Sequence, residues 1–392
     1  MKLLVVNWRC TKNPLAGGAE IYLHEILRRL VARGFEVNQL SERFPGSVPA
    51  ETIDGVRIIR MGGKNTFNFA VYRNVGRLAD ELDCDIVVDD LNKIPFYSPW
   101  YTNRPVLAIL MHLFRGSIFK EAFAPLAAYV WLAETMIPLA YKRCRFAVLS
   151  ESSKKDVVRL GIPAENITVI PPGTDFDRFR PAEQPQIDTD EHRLSDASSL
   201  GRSTAGPLDR SPVLLHVGRL KKYKATDHLL RAARLLADRG LKLRVVIVGS
   251  GDDKPRLEAM ASKLGLVDLV TFTGFISEEE KVNWYHRAAV LVENSVKEGW
   301  GLIVMEANAC GTPSVVARSP GLVDSSKDGV NGLLYDYGNV AQLAEKLELM
   351  LTDEPLRRKL GEQAIAWARQ WTWDKAAADM EAVIRPTAAE RQ

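Results

Sequence analysis

Cysteine is scarce in this chain of 392 residues: Cys10, Cys84, Cys144 and Cys310 stand far apart, with no C-x-x-C pair. That spacing argues against a disulfide framework or a thiolate zinc site and fits a reducing, cytoplasmic setting. Histidine is nearly as scarce, with six residues and no H-E-x-x-H spacing. An excess of one charge is missing too. Lys and Arg number 52 against 49 Asp and Glu, and the net +3 is too small to make nucleic acid the main partner. Long hydrophobic runs are absent except for Ala122 to Tyr141, which contains Pro125, Glu134 and Pro138. A central acid costs a spanning helix ~2.5–3.5 kcal/mol, so no transmembrane segment is expected. The apolar start, Met1 to Asn7, is too short for a signal peptide and reads as a buried strand. No repeat of 20–50 residues appears, which excludes a solenoid. What is present is globular. A content of 46% hydrophobic and 26% charged residues excludes wholesale disorder, and the length implies two or three domains at roughly 150 residues each.

Short β-rich runs alternate with helical patterns. Leu3–Val6, Ile86–Val88, Val106–Met111 and Phe146–Leu149 read as strands. Leu23, Ile26, Leu27, Leu30 and Val31 form the apolar stripe of a helix that opens at Gly17-Gly18-Ala19-Glu20 and closes at Gly34. Composition changes at Pro181. Through Pro212 the chain holds four Pro, many Ser, Asp and Arg, and three Arg against six acids, so residues 181–212 read as a flexible linker or insertion. The α/β rhythm then restarts. Val213–Val217, Leu243–Val248, Leu269–Thr273, Ala289–Val292 and Ser314–Val316 read as strands; Thr226–Arg239, Lys254–Leu264 and Leu302–Cys310 read as helices; Ser277-Glu278-Glu279-Glu280 is a capping box. Two open α/β domains place a cleft along the carboxyl ends of their strands, where ligands of this architecture bind.

Three loops at such ends carry candidate chemistry. Gly218-Arg219-Leu220-Lys221-Lys222-Tyr223-Lys224 puts Arg219 and Lys224 after a strand, where two cations suit a diphosphate or simply form a solvated basic loop. Lys297-Glu298-Gly299-Trp300-Gly301-Leu302 leads into a helix that carries Glu306. Its glycines and helix-start N–H groups favour phosphate or hydroxyl oxygens, while the two acids read as sugar-hydroxyl acceptors or as ordinary helix acids. His112 ends Val106–Met111 at the cleft edge and reads as a site or a structural histidine. Gly249-Ser250-Gly251 lacks the third glycine of a dinucleotide fingerprint, which disfavours a redox cofactor.

Taken together, Arg219…Lys224, Val248-Gly249-Ser250-Gly251, Thr273-Gly274-Phe275 and Glu298-x7-Glu306, followed by Ala307-Asn308-Ala309-Cys310-Gly311-Thr312-Pro313, resemble the family-4 retaining glycosyltransferases. Gly17-Gly18-Ala19-Glu20, Val169 to Asp175 and Trp371-Thr372-Trp373-Asp374 extend the resemblance over nearly the whole chain outside Ala182–Pro212. It implies an α/β fold of the GT-B type, two Rossmann-like doubly wound domains facing across a cleft. Residues 1–180 would form the acceptor-binding domain and 213–371 the nucleotide-sugar domain, with a helix over 372–392 crossing back to the first. Ala225 stands where the family usually has glycine, Pro172 where asparagine is common, and Trp300 where phenylalanine is common.

The resemblance also implies roles. Arg219 and Lys224 would grip the donor diphosphate. Glu306 would bind the ribose hydroxyls and Glu298 those of the transferred sugar. The backbones of Gly299, Trp300, Gly301 and Leu302 would hold sugar and phosphate, Gly17 and Gly18 would admit the distal phosphate, and Phe275 and Ile276 would touch the base. His112 would lie near the sugar and the acceptor. The implied reaction is a metal-independent, retaining transfer from a nucleoside-diphosphate sugar, UDP-sugar favoured, to an acceptor hydroxyl in glycan, glycolipid or polysaccharide biosynthesis, with no cofactor. An epimerase or a phosphorylase of the same architecture, and a non-catalytic sugar-nucleotide binding module, remain as alternatives. The acceptor would be a carbohydrate or a lipid-linked one. Residues 113–145 combine an apolar stretch with cations, and two readings stand: a buried helix, or a peripheral contact at the inner membrane face.

Overall fold

The structure, a computed structural model, describes residues 1–91, 94–120, 123–182 and 211–389. Most of the linker expected over 181–212 therefore lies outside the described residues, as do 390–392 of the last helix.

The first sheet comprises β1 (Lys2–Val6), β2 (Glu36–Ser41), β3 (Ala50–Ile53), β4 (Val56–Arg60), β5 (Ile86–Leu91), β6 (Val106–Leu110), β7 (Arg145–Val148) and β8 (Ile167–Val169). Their order is β3-β4-β2-β1-β5-β6-β7-β8. Only β3 runs antiparallel, joined to β4 by Asp54-Gly55, both at positive φ. The second sheet comprises β9 (Val213–Val217), β10 (Arg244–Val248), β11 (Val270–Gly274), β12 (Ala288–Glu293), β13 (Ser314–Ala317) and β14 (Gly332–Tyr335), ordered β11-β10-β9-β12-β13-β14 and wholly parallel. Strand order reverses between β1 and β5 and again between β9 and β12. Connections on the two sides of a reversal depart to opposite faces, and this opens a crevice at the carboxyl ends.

In the first domain the helices are α1 (Gly18–Ala32), α2 (Phe67–Glu81), α3 (Ala124–Thr135), α4 (Ile137–Tyr141) and α5 (Glu151–Arg159). The second carries α6 (Thr226–Asp238), α7 (Lys254–Lys263), α8 (Glu278–Arg287), α9 (Leu302–Ala309), α10 (Leu322–Ser325), α11 (Val340–Thr352) and α12 (Glu354–Ala368). The last helix, α13 (Trp373–Ala389), lies against α1 on the first sheet, where Trp373, Met380 and Ile384 join Leu3, Val5, Leu23, Ile26 and Val88 in one core. The opposite face of that sheet packs Leu4, Val6 and Phe146 against Val71 and Val75 of α2 and Tyr141 of α4. Each fully buried Leu, Ile or Val side chain contributes ~1.5–3 kcal/mol, so both helix layers are firmly held. The crossing back depends on Gly173: a Cβ there would stand 2.0 Å from the backbone nitrogen of Trp373, and Thr174 N–H donates to Trp371 O at 3.0 Å.

Of the stretch Ala122–Tyr141, the described residues 123–141 are neither wholly buried nor one helix. They break at Met136 into α3 and α4, and α3 buries only Ala127, Val130, Ala133 and Glu134. The hairpin and β2 fall in a stretch, 36–60, that sequence reading passed over: the hairpin is marked by Asp54-Gly55 before Val56-Arg57-Ile58-Ile59, whereas β2 is masked by its buried polar residues Asn38, Gln39 and Ser41.

Candidate active site

The strands on either side of the second sheet's reversal, β9 and β12, deliver the two charged loops. After β9 the chain turns through Gly218 and Arg219 into a tight turn over Lys222–Lys224, closed by Lys224 N–H on Lys221 O at 3.0 Å. Two close backbone approaches hold that loop. A Cβ on Gly249 would meet Gly218 O at 2.0 Å, and one on Gly251 would meet Leu220 O at 2.1 Å. Gly249-Ser250-Gly251 thus packs backbone against backbone, with Leu220 N–H donating to Ser250 O at 2.9 Å.

Ala225 ends the turn at φ 46°, ψ 39°, in the left-handed region that glycine occupies at no steric cost. This supplies a physical reason for glycine at that position in the family.

Lys224 is buried, and its Nζ lies 2.7 Å from Glu298 Oε1 and 3.7 Å from Glu293 Oε2. Burial opposes the lysine's charge, yet Glu293 and Glu298 hold its pKa well above the ordinary value. Burial likewise pushes Glu298 up, but Lys224, Ser295 and His112 outweigh it and hold the carboxyl below the usual range. Glu293 accepts a hydrogen bond from Ser295 Oγ at 2.7 Å. It ends the apolar strand β12, and sequence reading passed over it. The available signal was an acid as the last residue of a buried run, at the carboxyl edge of a sheet.

Glu298 is held by its backbone. Its N–H donates to Pro320 O at 2.9 Å, and a Cβ on Gly321 would meet its carbonyl oxygen at 2.2 Å. Gly301 starts α9 at φ 114°. Trp300 turns its ring inward against Trp371, at 5.1 Å between centroids, so only its backbone can face the cleft. One and a half turns along α9, Glu306 Oε2 accepts from Tyr285 Oη at 2.8 Å and pairs with Lys281 Nζ at 3.0 Å. Burial raises its pKa despite both partners. Lys281 also pairs with Glu278 at 2.8 Å and lies over the Phe179 ring. Lys281 and Tyr285, spaced four apart on α8, were not singled out from sequence. Phe275 is 90% exposed, while Ile276 packs against the second core.

The first domain meets these loops with glycines. A Cβ on Gly17 would lie 1.9 Å from Arg219 Nη2, so the exposed arginine reaches across to the start of α1. A Cβ on Gly18 would lie 3.1 Å from Leu302 Cδ1, which brings the amino ends of α1 and α9 together. Gly17 N–H donates to Glu20 Oε2 at 2.7 Å. Gly299 lies against the end of β6, where its Cβ would be 3.1 Å from Met111 O, one residue before the half-buried His112. The His112 ring stands 4.9 Å from that of Phe114. Beside this junction Lys297 Nζ pairs with Asp156 at 2.5 Å. Arg219, Lys224, Glu298, Gly299, Leu302, His112, Gly17 and Gly18 are therefore brought to one junction. Glu306 lies further along α9 with Lys281, and Phe275 stands out in solvent.

Two family models match the chain: Glycosyltransferase Family 4 over residues 16–178 and Glycosyl transferases group 1 over residues 203–367. A D-inositol 3-phosphate glycosyltransferase of Streptomyces bingchenggensis is 35% identical, over 93% of this chain and 83% of that protein. This chain is a family-4 glycosyltransferase. A second relative of the same description, from Thermomonospora curvata, is 30% identical over 92% of this glycosyltransferase and 88% of its own length. The fold is GT-B. Sucrose-phosphate synthase from Thermosynechococcus elongatus superposes with a TM-score of 0.78 at 21% identity, over 99% of each chain. Anabaena HepE, solved in complex with UDP and glucose, superposes at 0.75 and 19% identity, over 98% of this chain and 100% of its own.

Proposed function

We propose that this glycosyltransferase moves a sugar from a UDP-sugar to an acceptor hydroxyl with retention of configuration and without a metal ion. The carrying observation is the buried Lys224 ammonium, fixed between Glu298 and Glu293 while Arg219 reaches Gly17 from the same loop. A leaving diphosphate gains negative charge as its glycosidic bond breaks. Cations held in place beforehand, together with the amino ends of α1 and α9, stabilise that charge without reorganising. In this reading Glu298 accepts hydrogen bonds from the transferred sugar and His112 faces it from the first domain. Glu306 binds the ribose hydroxyls and holds Lys281 near the nucleotide. The backbones of Gly299 to Leu302 line the sugar and phosphate, and those of Phe275 and Ile276 meet the base. Retention follows from attack on the face that the diphosphate leaves, with its oxygen taking the acceptor's proton.

HepE has been solved with UDP and with UDP-glucose, which favours uridine for the donor. The curated relatives are named for a phosphorylated inositol. Apolar residues 113–139 beside His112 favour instead an acceptor carried on a lipid, met by peripheral contact with the inner membrane face. The test is a panel of nucleoside-diphosphate sugars, with and without inositol phosphate or a polyprenyl-phosphate-linked acceptor, assayed in chelator. UDP release that requires an acceptor, with an α-linked product, is expected. Sugar interconversion without acceptor, dependence on inorganic phosphate, or loss of activity in chelator overturns the corresponding part.

A further inference from the structure

The outer surface of the first domain is unlike the rest of the molecule. On the side of the sheet covered by α2 and α4, with α3 packed beside α4, Phe69, Tyr72, Trp100, Tyr129, Leu132 and Leu139 are all exposed, Phe69 by 68% and Leu139 by 69%. They come from separate segments that the fold joins. Tyr72 meets Tyr101 at 4.7 Å, Trp100 stacks on Tyr97 at 5.0 Å, and Tyr97 Oη donates to Ala133 O of α3 at 2.8 Å.

Cations predominate in the segment that carries most of this face, although Arg104 is paired with Asp80 and Asp83. Residues 94–149 hold six Lys or Arg against two acids. One of those acids, Glu134, is turned inward onto the N–H groups of Phe114 and Arg115 at 2.6 and 2.7 Å. Where α4 ends, a cavity of about 620 Å³ opens at the amino ends of β6 and β7, on the side of the sheet away from the cleft. Pro99, Pro105, Leu139 and Ala140 line it together with Lys142 and Arg143. Those two cations are exposed and enter no ion pair among the described residues. No helix among the described residues is long and apolar enough to cross a membrane, so the surface would lie on a bilayer rather than in it.

We propose that this face docks on an anionic phospholipid bilayer and that the cavity takes the phosphate-bearing headgroup of one anionic lipid. Trp and Tyr side chains settle at the boundary between headgroups and acyl chains, and unpaired cations beside them select an anionic surface. The cavity, which sequence patterning could not reveal, adds a bound headgroup to that general attraction. The proposal rests on the glycosyltransferase reading only in that it brings the rim at His112 to a membrane-held acceptor.

The test is co-sedimentation of the full chain with vesicles of phosphatidylcholine alone and of phosphatidylcholine mixed with phosphatidylglycerol. Binding to the mixed vesicles only, weakened by salt, is expected. Lys142→Glu with Arg143→Glu should lower the partition coefficient about tenfold or more. Leu132→Glu with Leu139→Glu should abolish binding, and Ala140→Trp, which fills the cavity without touching charge, should weaken it severalfold. The rise in melting temperature with UDP checks each variant's fold and reports on the nucleotide site separately. Its absence in the wild type would defeat the donor reading and leave the vesicle result standing. Equal binding to neutral vesicles, no binding at all, or dimers dispersed by the Leu132/Leu139 variant overturns the docking surface. Unchanged binding by Ala140→Trp overturns the headgroup cavity.

Discussion

The two sides of the cleft are built by opposite means. The second domain supplies charge: Lys224, Glu293 and Glu298 form one buried cluster, and the half-buried Lys281 and Glu306 form a second with the exposed Glu278. The first supplies space: Gly17 and Gly18 carry no side chains where Arg219 and Leu302 press against them. A buried charge is costly unless paired, so the second side binds its strength to its stability. An open glycine costs nothing in the folded state, so the first side can be damaged without weakening the fold. Comparing stability and turnover in the same variants separates the two.

Lys224→Ala should have the largest effect. It leaves Glu293 and Glu298 buried without their cation, which costs about 3–5 kcal/mol of stability by denaturant unfolding, with a fall of ~10²–10³ in kcat. Turnover lost with stability intact would break the comparison. The acid limb of the unfolding curve sharpens it. Because Glu298 is held below its usual value, its contribution is present above about pH 4.3 and disappears as pH falls through the lower folded value. In Lys224→Met burial acts without that cation. The carboxyl should then move up, and stability should fall as pH rises through the raised value. Arg219→Ala, by contrast, removes an exposed side chain, so kcat should drop by ~10²–10³ with an unchanged melting temperature. Gly17→Ala should leave stability alone, since its φ of −152° suits any residue, but must push the Arg219 guanidinium aside. A loss of about 10–100-fold in kcat is expected from single-turnover kinetics. Glu306→Gln should weaken UDP binding by calorimetry about tenfold, the scale of one charged hydrogen bond. The smallest change is a gain: Ala225→Gly relieves a left-handed alanine and should add up to about 1 kcal/mol to stability.

Much of this was legible in sequence because the signals are local. Glycines close helices at Gly34, Gly240 and Gly265, apolar stripes mark α1 and α6, and Ser277 caps α8 by accepting from Glu280 N–H at 3.1 Å. Arg219, Lys224, Glu298 and Glu306 stand out only as a set, because their order and spacing resemble the family's; each alone reads equally as a solvated loop cation or an ordinary helix acid. Other features were not legible. Glu293 is separated from Lys224 by two strands and three helices, and Lys281 from Glu306 by a strand and a loop; no spacing rule links them. Lys224 and Arg219 look alike as two cations on one loop. Only burial, set by the neighbouring chain, makes one structural as well as functional and leaves the other free to cross the cleft. The apolar stretch before Tyr141 reads alike as core or surface, because composition carries no direction.

By itself the sequence determined two α/β units, the strand ends at which charge would emerge, and the glycines that let backbones meet, since these follow from periodicity and from φ preferences within a few residues. Tertiary structure alone decided which carboxylate faces which ammonium, which tryptophan turns inward, and that four distant segments share one aromatic, cationic surface. Those outcomes depend on distances between elements far apart along the chain, and pairing energies there are set by burial that no local pattern encodes.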